Sequence, residues 1–194
     1  MTDQRADQYA CTEAVLDVTP DAAIVSNLGV ASYVLASVSD VDRARNFYQW
    51  GSMGVTTAVG LGLALSTDDP VTVLEGDGSL LMSLGVLSTV ARYNPSNLTI
   101  VLWDNEVYET TGGQPTHASH TDFAGVAENC GLTARTVHST NEFADAYRNS
   151  VSADGATLLS CAVDPVSPDA RPPFDYPAIA RRVRDALTNQ DTNS

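Results

Sequence analysis

Two short apolar runs, each followed at once by polar residues, constrain the fold of this chain more than any other feature of its sequence. Residues 71–74 lead into Gly76-Asp77-Gly78-Ser79, and residues 98–103 lead into Asp104-Asn105. Apolar residues between the two runs recur at the spacing of one helix face: Leu80, Leu81, Leu84, Leu87 and Val90. This order predicts a parallel βαβ unit, in which both strands are buried and end at the same edge of a sheet.

The rest of the chain continues this alternation. Strands are predicted at residues 22–26, 134–138 and 156–163. Helices are predicted at residues 12–18, 32–38, 51–65, 79–93, 121–129, 141–150 and 177–187. Helix 51–65 is rich in small residues, which permit close packing, so we expect it to be buried. The pattern is typical of an α/β fold, a doubly wound and mostly parallel sheet with helices on both faces. We expect residues 1–194 to form a single domain with a polar N-terminal tail and a C-terminal helix.

The acidic composition excludes some classes of partner. The formal net charge is −14, and the 10 basic residues are all arginine. Such a surface repels nucleic acid, which is bound mainly through Lys and Arg contacts to phosphate, so we expect no nucleic-acid partner. Because the acidic residues are scattered along the chain, we interpret them as a surface adapted to high salt.

Apolar windows and cysteines bear on the compartment. No window approaches the roughly 18 apolar residues that a membrane span needs, so we expect no membrane partner. Residues 1–7 are polar and acidic and do not resemble a secretion signal, which favours a cytoplasmic protein. The three cysteines, Cys11, Cys130 and Cys161, form no CxxC pair, which indicates reduced thiols rather than a thiolate metal site.

The polar residues at the two strand ends have the chemistry of a metal site. Asp77 and Asn105 would meet at one sheet edge, where open α/β sheets hold ligands. Their oxygens suit a small hard cation such as Mg²⁺, which keeps few protein ligands and shares the oxygens of a bound phosphate. The backbone carbonyl of Val107 would be a natural third ligand.

The residues around Asp77 favour a phosphate ligand. Gly76 and Gly78 let the backbone approach a ligand without obstruction by a Cβ atom. We expect a helix to begin at Ser79, where free N–H groups and the positive end of the helix dipole would attract a phosphate. Gly-Asp-Gly alone also fits a plain turn, but Asn105 makes the pattern more specific because one ion would contact both side chains.

This pattern resembles the diphosphate-binding domain of thiamin diphosphate enzymes, and the resemblance covers residues 22–163. That family carries Gly-Asp-Gly, then a helix and a strand, and then Asn, whereas Asp104 matches a more variable position. The resemblance implies thiamin diphosphate and Mg²⁺ as cofactors. The cofactor contacts that it implies are those of Asn27, Gly51, Ser52, Met53, Gly76, Asp77, Gly78, Ser79, Asn105, Val107 and Tyr108. Of these, Asp77, Asn105 and Val107 would hold the ion.

Two further stretches resemble the decarboxylase branch of this family. In Gly51-Ser52-Met53-Gly54, the carbonyl of Gly51 would contact the 4′-amino group of the cofactor, and Met53 would support its two rings. The run Thr111-Gly112-Gly113-Gln114-Pro115-Thr116 is similar to one in sulfopyruvate decarboxylase beta subunits and phosphonopyruvate decarboxylases. His117 and His120 follow; they would either relay a proton or contact an anionic substrate, or lie solvated in a loop.

One required group has no counterpart here. Enzymes of this family use a glutamate on a separate pyrimidine-binding domain to activate the cofactor. Glu75 precedes Gly-Asp-Gly and lies on the wrong element for that role. The resemblance therefore implies an alpha subunit that carries the pyrimidine-binding domain, and a small anionic 2-oxoacid as substrate.

The resemblance thus implies the beta-type subunit of a 2-oxoacid decarboxylase that converts sulfopyruvate to sulfoacetaldehyde and CO₂, or alternatively acts on phosphonopyruvate. Three other interpretations stay open. An acetolactate-synthase-like carboligase would share the cofactor chemistry and differ in its acceptor. The beta subunit of a 2-oxoacid:ferredoxin oxidoreductase shares the Gly-Asp-Gly and Asn pattern, although dispersed cysteines argue against cluster chemistry. A non-catalytic binding subunit would retain the fold, but it would have no need of Asp77 and Asn105.

Overall fold

The computed structural model describes residues 5–188, which are organised around a parallel sheet of six strands. Its strands are β1 (Ala23–Ser26), β2 (Asn46–Tyr48), β3 (Val71–Gly76), β4 (Leu98–Asp104), β7 (Thr133–Val137) and β8 (Thr157–Ala162). Their order across the sheet is β2-β1-β3-β4-β8-β7. A separate antiparallel hairpin consists of β5 (Val107–Tyr108) and β6 (Gln114–Pro115). The helices are α1 (Gln8–Val18), α2 (Val30–Val38), α3 (Thr56–Ala64), α4 (Asp77–Met82), α5 (Val86–Tyr93), α6 (Phe123–Cys130), α7 (Thr140–Ser150) and α8 (Tyr176–Thr188).

Helices cover both faces of the sheet because successive strand residues point to opposite sides. On one face, Leu74 and Val101 belong to a buried cluster with residues of α1, α2 and α7. On the other face, Val73 and Ile100 belong to a second cluster with residues of α3, α5 and α6. The predicted doubly wound sheet with helices on both faces is confirmed.

Three predictions about elements need correction. Residues 79–93 do not form one helix, because Ser83 leaves the helical conformation and separates α4 from α5. The edge strand β2 was not predicted, since its three residues are too short to show a pattern. The predicted buried helix 51–65 is the shorter α3, and it buries only one side: Gly60 packs on Val73, whereas Val59 is 37% exposed.

The order of the strands creates one special position at the sheet edge. From β1 the chain passes to β2 on one side, and from β3 it passes to β4 on the other side. The loops that follow β1 and β3 therefore diverge and leave a crevice beyond the carboxyl ends of these strands, where doubly wound sheets bind ligands. Asn27 follows β1 and Asp77 follows β3, so both lie at this crevice.

The segment before α1 packs on the sheet. Ala6 pairs with Val163 beyond the end of β8 and is buried, and Asp7 caps the first turn of α1. Part of the expected polar tail is therefore ordered structure, while residues 1–4 lie outside the described part. Within residues 5–188, none of the helices combines the length and the hydropathy that a bilayer crossing requires.

Candidate functional site

A cleft opens at the crevice between β1 and β3. It encloses about 650 Å³, including space open to solvent. The predicted site residues that line it are Asn27, Met53, Gly76, Asp77, Gly78, Ser79, Asn105, Val107 and Tyr108. Lining residues that were not among the predicted cofactor contacts are Gln8, Leu28, Gly29, Val30, Ala31, Trp103, Glu109, Thr110 and Thr111. The residues predicted to hold the metal ion and Met53, which was predicted to support the cofactor rings, thus line the same cleft.

The floor of the cleft is formed by the turn after β3. Helix α4 begins at Asp77, two residues earlier than predicted, and has only six residues, so the contribution of a helix dipole is small. A Cβ atom on Gly78 would lie 2.3 Å from Cε1 of Tyr108. Only glycine lets this turn contact the aromatic ring, which explains the second glycine of the motif.

Asp77 is held in place by Thr116, whose contact with this carboxylate the sequence did not predict. Its side chain is buried, and its Oδ2 accepts a hydrogen bond of 2.6 Å from the hydroxyl of Thr116. Thr116 follows the β5–β6 hairpin, and its N–H donates to the carbonyl of Glu106 at 2.8 Å. The hairpin therefore brings the chain back to Asp77, and no local pattern in the sequence predicts this contact.

Asn105 lies in a tight turn between β4 and β5. Its Oδ1 accepts a hydrogen bond of 3.1 Å from the N–H of Val107, which fixes the orientation of the carboxamide. The intervening Glu106 has φ +62°, an unfavourable backbone conformation for a residue with a side chain. Its carboxylate accepts a hydrogen bond of 2.6 Å from Arg5, and Arg5 also donates to the carbonyl of Val163 at 2.9 Å. Arg5 thus ties the turn to the end of β8.

Unbalanced negative charge accumulates beside this turn. Burial raises the pKa of Asp104 to about 6, and the charges of Asp77 and Glu106 add to the shift. The buried Oδ1 of Asp104 has no hydrogen-bond partner among the described residues. Burial also raises the pKa of Asp77, which the hydrogen bond from Thr116 opposes. A cation at this position would relieve both carboxylates.

The loop that carries Met53 forms one wall. Gly51 has φ +65° and Ser52 φ +54°, so the chain reverses sharply before Met53. Met53 lines the cleft, whereas Gly51 and Ser52 are exposed and are not among the lining residues. The side-chain amide of Gln49 donates to the carbonyl of Ser52 at 2.6 Å and to that of Gly51 at 3.3 Å. The predicted role of Gly51 in binding the cofactor stays a prediction.

The two histidines of the long loop lie apart from the cleft. His117 and His120 are exposed; His117 precedes a short turn of 3₁₀ helix, Ala118–His120, and His120 is the last residue of that turn. Neither is among the residues that line the cleft. Within this chain they match the description of solvated loop histidines, and a role in proton transfer stays a prediction.

Glu75 is the second residue whose importance the sequence did not reveal. It is fully buried behind the floor of the cleft and accepts hydrogen bonds from Thr57 and from the N–H of Gly76. Burial raises the pKa of Glu75, and these hydrogen bonds oppose the shift. The sequence contained one signal of this: Glu75 is a charged residue on the same face of the strand as Val71 and Val73, which are core residues.

The residues present fit a metal–diphosphate group. The ion would be held by the carboxylate of Asp77, the carboxamide of Asn105 and the carbonyl of Val107. Within residues 5–188 there is no cluster of three or more His, Cys, Asp or Glu side chains able to hold a metal ion. A site with so few protein ligands suits Mg²⁺, which completes its octahedron with phosphate oxygens and water. The glycine turn leaves room for the phosphates.

Comparison with known proteins identifies the family. Residues 27–161 match the family described as thiamine pyrophosphate enzyme, C-terminal TPP binding domain. Thiamine pyrophosphate and thiamin diphosphate are the same cofactor. The match includes every cofactor-binding residue that the sequence predicted, from Asn27 to Tyr108.

Relatives extend over most of the chain. A protein named sulfopyruvate decarboxylase subunit beta, from Methanocaldococcus jannaschii, is 44% identical over 137 residues, or 70% of this chain and 72% of that protein. A phosphonopyruvate decarboxylase from Streptomyces viridochromogenes is 42% identical over 190 residues, or 95% of this chain. The chain spans only 47% of the length of that second relative.

Solved structures agree with the fold. The structure of benzoylformate decarboxylase from Polynucleobacter necessarius superposes with a TM-score of 0.73 at 20% identity, over 82% of this chain and 34% of that one. Because residues 27–161 match the family model, the chain belongs to the family of thiamine pyrophosphate enzymes and corresponds to their C-terminal TPP binding domain.

Proposed function

We propose that this chain is the diphosphate-binding, beta-type subunit of a decarboxylase that depends on thiamin diphosphate and Mg²⁺ and converts sulfopyruvate to sulfoacetaldehyde and CO₂. The observation that carries the proposal is the meeting of Asp77, Asn105 and the glycine turn at the crevice between β1 and β3. The substrate is inferred from relatives named sulfopyruvate decarboxylase subunit beta, one of which is 42% identical over 81% of this chain.

The residues of this chain bind and orient the cofactor, and thiamin diphosphate supplies the nucleophilic carbon and the electron sink for loss of CO₂. Asp77, Asn105 and the carbonyl of Val107 would hold Mg²⁺, which would neutralise charge on the diphosphate. Asn27 would contact the diphosphate from the end of β1. Met53 would support the rings, and Gly51 would offer its carbonyl to the cofactor.

We further propose that the functional protein is a hetero-oligomer. The chain acts as a single diphosphate-type domain, and an alpha subunit supplies the pyrimidine-binding domain with its activating glutamate. In support, Gly51 and Ser52, which are proposed to contact the cofactor, are exposed and so are accessible to a second chain. The relatives named as beta subunits fit this arrangement.

The test is reconstitution with the candidate partner. The chain should be purified together with the product of the neighbouring gene, and release of CO₂ should be measured from sulfopyruvate, phosphonopyruvate and pyruvate. We expect release from sulfopyruvate only in the presence of both chains, thiamin diphosphate and Mg²⁺. If none of the acids yields CO₂ in high or low salt, the decarboxylase proposal is wrong.

A second candidate substrate is phosphonopyruvate. It is favoured by the relatives of that activity, two of which match 95% and 96% of this chain. The same assay separates the two substrates by their kcat/KM values. Formation of acetolactate from pyruvate would instead identify a carboligase.

We also propose that the protein works in a salt-rich cytoplasm. The proposal rests on the net charge of −14 and on basic residues that are all arginine. Salt screens the mutual repulsion of the acidic side chains, so the folded state gains stability as salt rises. The midpoint of thermal unfolding should increase between 0.1 M and 2 M KCl; a constant or falling midpoint would refute the adaptation.

A further inference from the structure

A carboxylate occupies a core position of β3, directly behind the candidate site. Side chains alternate along a strand, so Glu75 continues the face that Val71 and Val73 present to α3. Glu75 has 0% exposure, as do both valines. A charged group is costly to bury unless it is well hydrogen-bonded, so an apolar residue would stabilise the core better unless the carboxylate has another role.

The hydrogen bonds of Glu75 reach two separate parts of the chain. Its Oε2 accepts from the N–H of Thr57 at 3.1 Å and from the hydroxyl of Thr57 at 2.8 Å, in the first turn of α3. Its Oε1 accepts from the N–H of Gly76 at 3.1 Å, at the floor of the cleft. The hydroxyl oxygen of Ser79, in the turn that follows, accepts a hydrogen bond of 3.0 Å from the N–H of Gly54 and so adds a separate link between this turn and the Met53 loop.

These bonds connect the two walls of the cleft. One wall is the loop that carries Met53 and leads into α3, and the other is the turn of residues 76–79 with Asp77. A further bond supports the first wall, because the hydroxyl of Thr56 donates to Oδ1 of Asn27 at 3.0 Å. The carboxylate of Glu75 lies at the centre of this network.

We propose that Glu75 is a positioning residue that fixes the Met53 loop relative to the Asp77 turn. It acts through Thr57 and Gly76 and does not touch the cofactor. In this role it sets the separation between the groups that hold the rings of thiamin diphosphate and the groups that hold its phosphates. The inference rests on the proposed function, since it assumes that this cofactor occupies the cleft.

Two substitutions test the role without changing shape. In Glu75→Gln, the carboxamide has one NH₂ group, and both ends of the native carboxylate accept from a backbone N–H, of Thr57 or of Gly76. Either orientation therefore places two donors face to face. Thr57→Val is milder, because it removes the hydroxyl but keeps the backbone N–H and the volume of the side chain.

The control is Tyr147→Phe. The hydroxyl of Tyr147 is buried on the opposite face of β3, where it bonds to Thr72 at 2.7 Å and to Thr19 at 2.8 Å. Its removal disturbs a buried polar network of the same sheet at the end away from the cleft. It should lower stability and leave ligand binding unchanged.

The measurement compares two ligands by calorimetric titration of the assembled complex. Thiamin diphosphate with Mg²⁺ spans both walls, whereas inorganic pyrophosphate with Mg²⁺ needs only the Asp77 turn. We expect both variants to weaken thiamin diphosphate binding by about ten- to hundredfold, the range for lost hydrogen bonds to a charged group. The loss for pyrophosphate should be at least about tenfold smaller.

The outcomes separate this role from the proposed function. If the wild-type complex binds pyrophosphate but not thiamin diphosphate, the proposed function fails, and this role fails with it. If the wild type binds the cofactor and Thr57→Val binds both ligands as tightly, the positioning role alone is wrong. Equal losses for both ligands in Thr57→Val would also overturn it, even if Glu75→Gln does not fold.

Discussion

The contact between Gly78 and Tyr108 allows the sharpest prediction about the site. An alanine at position 78 would place its Cβ 2.3 Å from Cε1 and 2.9 Å from Cδ1 of Tyr108, and 3.0 Å from Cγ2 of Thr116. Carbon atoms in contact are normally about 3.5–4.0 Å apart. The aromatic ring and Thr116 must therefore move, and Thr116 holds the carboxylate of Asp77.

The magnitude follows from a comparison of two glycines. Overpacking a site of this kind costs about 1–3 kcal/mol. Replacing glycine by alanine stabilises a helix by about 1 kcal/mol. Gly62 in α3 is the reference position, because the same gain applies there and a Cβ would meet no atom within 4 Å. The free energy of unfolding of Gly78→Ala should therefore lie about 1–3 kcal/mol below that of Gly62→Ala.

Urea unfolding of the two purified variants measures this difference directly. Titration with thiamin diphosphate and Mg²⁺ in the assembled complex should then show weaker binding for Gly78→Ala and unchanged binding for Gly62→Ala. If Gly78→Ala is as stable as Gly62→Ala, Tyr108 does not pack on this turn as described. If its stability falls but its cofactor affinity does not, Thr116 does not control Asp77.

Three further predictions concern charges around the turn. Because the folded-state pKa of Asp104 is raised to about 6, its ionisation opposes folding as pH rises from about 4 through 6. Asp104→Asn should therefore increase the free energy of unfolding by about 1–3 kcal/mol at pH 8 and have no such effect at pH 3.5, as measured by urea unfolding at both pH values. Equal effects at the two pH values would contradict the raised pKa of Asp104. Thr116→Val should reduce the affinity for Mg²⁺ and thiamin diphosphate by about tenfold in a calorimetric titration, because Asp77 loses its donor, and undiminished affinity would exclude this role. Arg5→Ala frees Glu106 and should lower the free energy of unfolding by about 0.5–1 kcal/mol at low salt, with a smaller loss in 2 M KCl; a loss that does not depend on salt would show that the pair acts through packing.

The local parts of this structure were accessible from the sequence. Apolar runs 71–74 and 98–103 lie within β3 and β4, and the polar residues after them meet at the carboxyl edge of the sheet because parallel strands impose it. The position of Asp77 and Asn105 follows from that rule alone. The family resemblance added the identity of the ligand, which strand patterns do not contain.

Other parts depend on contacts between distant residues. Thr116 reaches Asp77 only because a hairpin folds the chain back, and Arg5 reaches Glu106 only because Ala6 pairs beyond the end of β8. The break at Ser83 was hidden because leucines on both sides keep helical spacing across it. The periodic spacing of apolar residues predicts which face of a helix or strand is buried, but it does not specify where a buried polar group finds its partner.

The residues around the cleft differ in exposure, and this difference favours a second chain at its open side. Beside β3, Asp77 is 3% exposed, and its turn is enclosed by Tyr108 and Thr116. In the loop that carries Met53, Gly51 and Ser52 are exposed, and the nearby apolar side chains of Val55 and Met82 are 41% and 63% exposed. Decarboxylation benefits from exclusion of water, because a dry site strengthens the electrostatic interactions that stabilise the transition state. Under the proposed function, this chain would enclose the phosphates by itself, and enclosure of the rings would need a surface from the proposed alpha subunit.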